Sequence, residues 1–189
     1  MKTLLIIILV AAVIGLGVYA FTRPATDDTP DNNTDTTNDG TVTSVRVPVF
    51  AEGGDVVCGM KIVYIERSVA PTKAPLNAAY RALFEMSEPY VVDAVQYQNP
   101  IGYQTSKTEF TPLKFVRADL ANGVASVYLE GSITGVGTCY DPLPKIQLDT
   151  LAKQFPTVTS VKYYLNGKET DPGCIADQSG LKPCYTGTE

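Results

Sequence analysis

The sequence contains no histidine and no tryptophan, and its acidic residues outnumber its basic ones. Without histidine the chain lacks the commonest general base and the commonest metal ligand, which weighs against catalysis without excluding it. We expect no catalytic residue, no metal site and no cofactor. With a net charge of -5, the protein also lacks the excess of basic residues that nucleic-acid binding requires. The composition therefore points away from metalloenzymes and from nucleic-acid partners.

A long apolar run lies at the N-terminus. No residue between Leu4 and Phe21 is charged, and the run is at the lower edge of the length that crosses a bilayer. Lys2 precedes the run and favours a cytoplasmic N-terminus, as do the aspartates that follow; Arg23 acts against this bias, and only lysine and arginine set orientation. We interpret residues 1–22 as a single-pass transmembrane signal anchor in the cell membrane. The alternative is a signal peptide cleaved after Ala20, which would give a secreted protein; both interpretations place the rest outside the cytoplasm.

Composition divides the remainder of the chain into three parts. Residues 23–43 are rich in Thr, Asp and Asn and carry almost no apolar side chain, which predicts a disordered acidic linker. Residues 44–168 carry the periodic apolar patterns of a folded domain. Residues 169–189 are rich in Pro and Gly and lack such a pattern, so we expect a tail that needs covalent bridging to be held in place.

The four cysteines are the candidates for that bridging. Cys58, Cys139, Cys174 and Cys184 form an even set outside the cytoplasm, which predicts two disulfides with three possible pairings. We favour Cys174–Cys184 within the tail and Cys58–Cys139 within the domain. No pair has the Cys-x-x-Cys spacing of a redox or zinc motif.

The first half of the domain predicts two strands and a helix. Val45, Val47 and Val49 alternate with polar or proline positions, as in a strand, and Pro48 indicates an edge strand. A turn at residues 53–55 leads into a second strand over residues 60–69. An amphipathic helix follows over residues 74–86.

The second half predicts a hairpin, a helix and a final strand. Asn122-Gly123 lies between two apolar runs, which is a strong hairpin signal. Asp141 is expected to cap a helix that ends before Pro156. Asn166-Gly167 is expected to end the last strand rather than to begin another hairpin. The order β-β-α-β-β-α-β predicts an α+β fold, a mainly antiparallel or mixed sheet with two helices on one face.

The amino-acid sequence of this second half resembles that of a known family. Residues 135–142 (Gly-Val-Gly-Thr-Cys-Tyr-Asp-Pro) and residues 147–168 are similar to the C-terminal half of the GerMN domain, the sporulation and spore germination domain of bacterial envelope proteins. Residues 74–84 resemble its first helix and residues 122–129 its middle strand, so the resemblance covers residues 42–168. It implies a non-enzymatic module that makes protein–protein contacts in the cell envelope, in sporulation or germination-like assemblies.

Residues 90–111 depart from the family pattern because they form a longer connection than we expect there. Long loops in compact domains are often functional, and tyrosine suits contact surfaces because it joins a large area to a polar tip. The candidate contact surface is formed by the aromatic residues of this segment, which are Tyr90, Tyr97, Tyr103 and Phe110.

Two other functions remain open. A cell-wall hydrolase would need two carboxylates facing each other across a cleft, and we expect the scattered carboxylates to be solvated surface groups instead. These are Glu66, Glu85, Glu88, Asp93, Glu109 and Asp119. A sensor for a small ligand or for cell-wall material would use the aromatic segment and would need a pocket of about 300 Å³ or more.

Overall fold

The computed structural model describes residues 40–135, 137, 139–173 and 183–185, the last three as backbone only. This part of the chain folds into strands and helices in the order β1 (Val42–Val57), β2 (Met60–Thr72), α1 (Pro75–Phe84), β3 (Tyr90–Val92), β4 (Val95–Tyr97), α2 (Pro100–Ser106), β5 (Lys114–Ala121), β6 (Val124–Glu130), β7 (Ile133–Thr134), α3 (Leu143–Lys153), β8 (Ser160–Leu165), β9 (Lys168–Thr170) and β10 (Pro183–Tyr185).

The α+β class is confirmed, but the predicted element order is too simple. The segment between α1 and β5 contains a hairpin and the helix α2, so the described domain has three helices instead of two. β1 begins at Val42, so its first two residues fall within the predicted linker. The mixed character of the sheet is also confirmed, because β6 and β8 run parallel while the other pairs are antiparallel.

β1 and β2 form a long antiparallel hairpin of their own. Val45, Val47 and Val49 are buried on one face of β1, as their alternation predicts. The expected turn at residues 53–55 is wrong. The strand continues through a register shift to Val57, and the chain turns at Cys58 and Gly59, which both have positive φ. Two successive residues in this conformation match the twist of the strands that they join.

A four-stranded sheet in the order β5-β6-β8-β9 forms the other side of the domain. The predicted hairpin at Asn122-Gly123 joins β5 to β6, with φ values of 52° and 79°. The expectation that Asn166-Gly167 ends the final strand is wrong, because the pair turns the chain into β9 with φ values of 51° and 85°. β9 is the short polar run Lys168–Thr170, which carries no apolar alternation that the sequence could have revealed.

The core lies where α1 and α3 contact both β1 and the four-stranded sheet. Tyr80 of α1 is fully buried there, stacks on Phe115 with ring centroids 5.2 Å apart, and donates a hydrogen bond of 3.0 Å to the carbonyl of Leu148. Burial raises the pKa of the Tyr80 hydroxyl, so this group stays neutral and keeps its donor. Leu148, Leu151 and Ala152 of α3 are buried in the same core.

Several predicted features fall outside the described residues. These include the anchor at residues 1–22, the linker up to residue 39, and Cys174, so the Cys174–Cys184 bridge stays a prediction. No helix among residues 40–173 is both long enough and apolar enough to pass through a bilayer. The described part of the tail shows β10, whose backbone pairs antiparallel with β7.

The structure contains the predicted disulfide between Cys58 and Cys139, with their Cα atoms 5.7 Å apart. It joins the turn of the β1–β2 hairpin to the segment that leads into α3. The two cysteines are 81 positions apart in the sequence, so the bridge closes a long loop. A cross-link of this kind stabilises mainly by restricting the unfolded chain.

Replacing both Cys58 and Cys139 with serine is therefore expected to lower the free energy of unfolding by roughly 2–4 kcal/mol. Urea denaturation followed by circular dichroism measures the change. The paired variant Cys174→Ser/Cys184→Ser is the control, and a smaller loss is expected from the shorter loop. Unfolding curves of the Cys58/Cys139 variant that coincide with those of the unmodified protein would contradict the assignment.

Candidate functional site

The four predicted contact residues occupy different settings. Tyr90 and Tyr97 face each other across the β3–β4 hairpin, and both are half-buried against the core. The hydroxyl of Tyr90 also accepts a hydrogen bond of 3.0 Å from Arg67. Tyr103 lies on α2 in the wall of a cavity, and Phe110 is half-buried in the loop that joins α2 to β5. The structure thus pairs the first two, and the contact role of all four stays a prediction.

The cavity at Tyr103 has a volume of about 300 Å³ and lies between α2 and α3. We call it the Glu88 cavity, and its wall is formed by Glu88, Gln98, Pro100, Tyr103, Gln104, Tyr140, Leu143 and Pro144. Most of its exposed wall is apolar, and the titratable groups are one carboxyl and two phenols. The volume reaches the size that we set for a small-ligand site.

A buried glutamine of α3 positions the α2 side of this cavity. The Gln147 side chain donates to the Pro48 carbonyl at 2.8 Å and to the Asn99 side-chain oxygen at 3.0 Å. Its own oxygen accepts from the backbone N–H of Ile101 at 3.1 Å. One amide therefore joins β1, the start of α2 and α3. All of these groups are buried, so water could not replace the amide as their hydrogen-bond partner if it were removed.

Gln104 and Gly102 also fix α2 to its neighbours. The Gln104 side chain exchanges two hydrogen bonds of 2.9 Å with the backbone of Thr134, which fixes the helix to β7. Gly102 lies against the end of α1, where an added Cβ would come within 2.7 Å of the Met86 carbonyl. Only glycine permits this approach without displacement of the backbone. These contacts hold Tyr103 in a fixed position on the cavity wall.

Tyr140 reaches the opposite wall through a tight turn beside the disulfide. The side chain of Asp141 accepts a hydrogen bond of 3.0 Å from the backbone N–H of Gly137. The predicted capping role of Asp141 is wrong, because α3 begins one residue later with Pro142 at the cap position and no side-chain cap. Asp141 is buried and closes the turn after Cys139 instead. The disulfide and this turn together set where Tyr140 lies.

Glu88 differs from the other scattered carboxylates. Glu66, Glu85, Asp93, Glu109 and Asp119 are exposed, as expected, whereas Glu88 is half-buried. Its carboxylate accepts a hydrogen bond from the backbone N–H of Asn99, and within residues 40–173 no lysine or arginine lies within ion-pair distance of it. Burial raises the pKa of Glu88 above its usual value, and the hydrogen bond from Asn99 opposes that rise in part.

A second candidate feature is the outer edge of β2. In β1, the carbonyl of Pro48 accepts a hydrogen bond from Gln147 of α3, and that of Arg46 accepts one from Gln154 just after the helix. Phe50 exchanges two backbone bonds with Gln98. Even-numbered residues of β1 thus point their polar groups away from β2, so the odd-numbered ones bond to it. The register pairs Val47 with Ile65, so odd-numbered residues of β2 bond to β1.

It follows that even-numbered residues of β2 direct their N–H and C=O groups outward. These residues are Ile62, Tyr64, Glu66 and Ser68, and no partner for their backbone groups occurs among the described residues. Beside this edge lies a groove of about 620 Å³, the β2 groove, between residues 67–72 and one face of α1. Its charged groups are Arg67, Arg81 and Glu85.

The sequence contained only part of the information needed to find these features. Asn99-Pro100 has the residue types that begin a helix, so α2 was detectable. Nothing in the spacing of Glu88 separates it from the exposed carboxylates, because its burial depends on contacts with Asn99 and α2. Within the described residues, no group of three or more cysteine or acidic side chains is placed to hold a metal ion.

Replacing Gln147 with leucine is expected to lower the free energy of unfolding by about 2–4 kcal/mol, because three buried groups lose their hydrogen-bond partner. Chemical denaturation measures the change. Gln154→Leu is the matched control, since Gln154 bonds to the same strand from a partly buried position and should cost less. Equal losses in the two variants would contradict the role of the Gln147 amide.

Replacing Glu88 with glutamine tests the burial of its carboxylate. The folded protein holds the Glu88 proton more strongly than the unfolded chain does. The stabilisation that protonated Glu88 gives to the folded protein is therefore lost as pH rises from about 4.3, the usual glutamate pKa, through the raised pKa. We expect the melting temperature of Glu88→Gln to rise relative to that of the unmodified protein across this window. Glu109→Gln removes an exposed carboxylate as a control, and equal pH profiles for the two variants would refute the prediction.

Comparison with known proteins gives one structural similarity. No protein-family model matches the chain, and no curated protein sequence matches it. Among solved structures, the chain is similar to the tandem GerMN domains of the sporulation protein GerM from Bacillus subtilis, with a TM-score of 0.46 and 15% sequence identity. The match covers 78% of this chain and 45% of that chain. We draw no activity and no partner from a similarity of this size.

Proposed function

We propose that the chain is a non-enzymatic, GerMN-like module that binds another protein at the outer face of the cell membrane. The observation that carries the proposal is the free edge of β2, where four successive outward-facing residues lack backbone partners within the described chain. Unpaired N–H and C=O groups in a row are a template for another strand. The occupant that fits is an extended segment of a partner protein, added beside β2.

The β2 groove supports this mode of binding. It runs between the C-terminal part of β2 and α1, so side chains of an added strand would enter it on one side of the new backbone. Arg67 and Arg81 outnumber Glu85 among its charged groups, which favours a segment with a carboxylate at that position. Backbone pairing would supply affinity, and the groove would select the side chains.

The location outside the cytoplasm rests on two observations. The apolar run in residues 1–22 has the composition of a membrane anchor or secretion signal. The Cys58–Cys139 disulfide fits an oxidising compartment, because cytosolic thiols are normally kept reduced. Together with the motif resemblance in residues 135–168, they favour a role in a cell-envelope assembly of the sporulation or germination type.

A proline placed in β2 separates docking from folding. Glu66→Pro removes an outward N–H and leaves the bonds to β1 intact, as Pro48 does in the neighbouring strand, so we expect a stability loss below about 1 kcal/mol. Ile65→Pro removes an N–H bonded to Val47 and should cost roughly 3 kcal/mol. Urea denaturation of the two variants therefore tests the register directly.

Docking itself is tested in the intact cell. A photo-crosslinking amino acid in place of exposed Ser68 is expected to give one specific protein adduct in the membrane fraction, and Glu66→Pro should abolish it. Glu66→Ala, which keeps the backbone N–H, should retain it. The same crosslinker in place of exposed Asp119, on β5 of the four-stranded sheet, is the positional control. An adduct that survives Glu66→Pro, or that forms equally from position 119, would refute binding at the β2 edge.

Binding of a small ligand is a second candidate function, and the Glu88 cavity favours it. Its volume of about 300 Å³ is sufficient, and Tyr103 of the predicted aromatic set lies in its wall. The two candidates use different surfaces, so each can hold without the other.

A further inference from the structure

The Glu88 cavity combines a desolvated carboxylate with two aromatic rings. Glu88, Tyr103 and Tyr140 all line the cavity, together with the apolar side chains of Pro100, Leu143 and Pro144. We propose that this cavity binds an ammonium group, with its charge against Glu88 and its apolar stem against Tyr103 and Tyr140. The proposal does not depend on docking at β2.

Charge balance is the first argument. A half-buried carboxylate loses part of its hydration, and within the described residues only the N–H of Asn99 compensates Glu88. No arginine or lysine of this part of the chain lies within ion-pair distance. A cation that enters the cavity would restore the missing interaction, since an opposite charge favours the ionised form. An anion would meet repulsion at the same place.

The aromatic walls supply the second argument. Ammonium groups bind favourably over tyrosine rings because the ring face is electron-rich. The Tyr103 ring already attracts a cation, since the Lys107 ammonium lies 4.3 Å from its centroid. Tyr140 is 39% exposed, and its ring is available on the other side of the cavity. A carboxylate and aromatic rings that line one cavity are the groups that favour binding of an alkylammonium ion.

The third argument is rigidity. Tyr103 is held by the bonds of α2 to Gln147 and Thr134, and Tyr140 by the disulfide and the Asp141 turn. A preformed cavity saves the entropy that a flexible one loses on binding. The shared chemistry is a protonated amine on a short apolar stem. It could be supplied by a free amine or by a lysine side chain of a partner.

Ligand-observed NMR on the full-length protein in detergent micelles tests the proposal. The probes are butylammonium, its neutral analogue butan-1-ol and the anion pentanoate, which carries the same butyl stem. We expect saturable binding of butylammonium, weaker binding of the alcohol and none of the anion. N-acetyl-lysine N-methylamide distinguishes the source, because tighter binding than butylammonium would indicate a lysine side chain. Equal binding of ammonium and alcohol, or no saturable ammonium binding, would overturn the proposal.

Variants locate the binding. Glu88→Gln should weaken butylammonium binding by roughly tenfold or more and leave the binding of butan-1-ol unchanged, because only the charged interaction is lost. Glu109→Gln removes an equal charge at an exposed position and should change neither. If Glu88→Gln does not fold, acidification of the unmodified protein serves instead, since protonation of Glu88 should release butylammonium and spare the alcohol. Equal affinities in the two variants, or ammonium binding that persists at acid pH, would refute Glu88 as the ligand.

Discussion

The domain depends on the rule that buried polar groups need hydrogen-bond partners. The side chain of Gln147 meets that need for three parts of the structure at once, because it bonds to the Pro48 carbonyl, the Ile101 N–H and the Asn99 amide. Pro48 has no backbone N–H, so at this position of β1 only its carbonyl needs a partner, and that partner must be a hydrogen-bond donor. The proline and the glutamine are thus complementary, although 99 positions separate them in the sequence.

The two edges of the β1–β2 hairpin are treated differently. Along β1, the outward carbonyls of Arg46 and Pro48 accept hydrogen bonds from two glutamines in and just after α3, and Phe50 pairs with Gln98. Along β2, the outward groups from Ile62 to Ser68 have no partner in the described chain. An exposed edge is a hazard that folded proteins normally cover, shorten or interrupt. Because specific side chains close the β1 edge, the open β2 edge beside a groove is the better candidate for a binding surface.

Local patterns in the sequence predicted the elements whose causes are local. Alternating valines gave β1 its buried face, and Asn122-Gly123 gave the β5–β6 turn, since the left-handed conformation of these residues depends on their own chemistry. The same pair at Asn166-Gly167 was misread because β9 has no apolar pattern. Its pairing comes from β8, which is a contact in space that residue spacing does not express.

The candidate site was the least predictable part for the same physical reason. Asp141 has the chemistry of a helix cap, but the disulfide places it where it closes a turn instead, so tertiary geometry overrides local preference. Glu88 is one acidic residue among many until α2 packs beside it. The contacts of Gln147 that fix α2 therefore also create the partly desolvated carboxylate, and the structural role of one amide and the electrostatics of the cavity have a common origin.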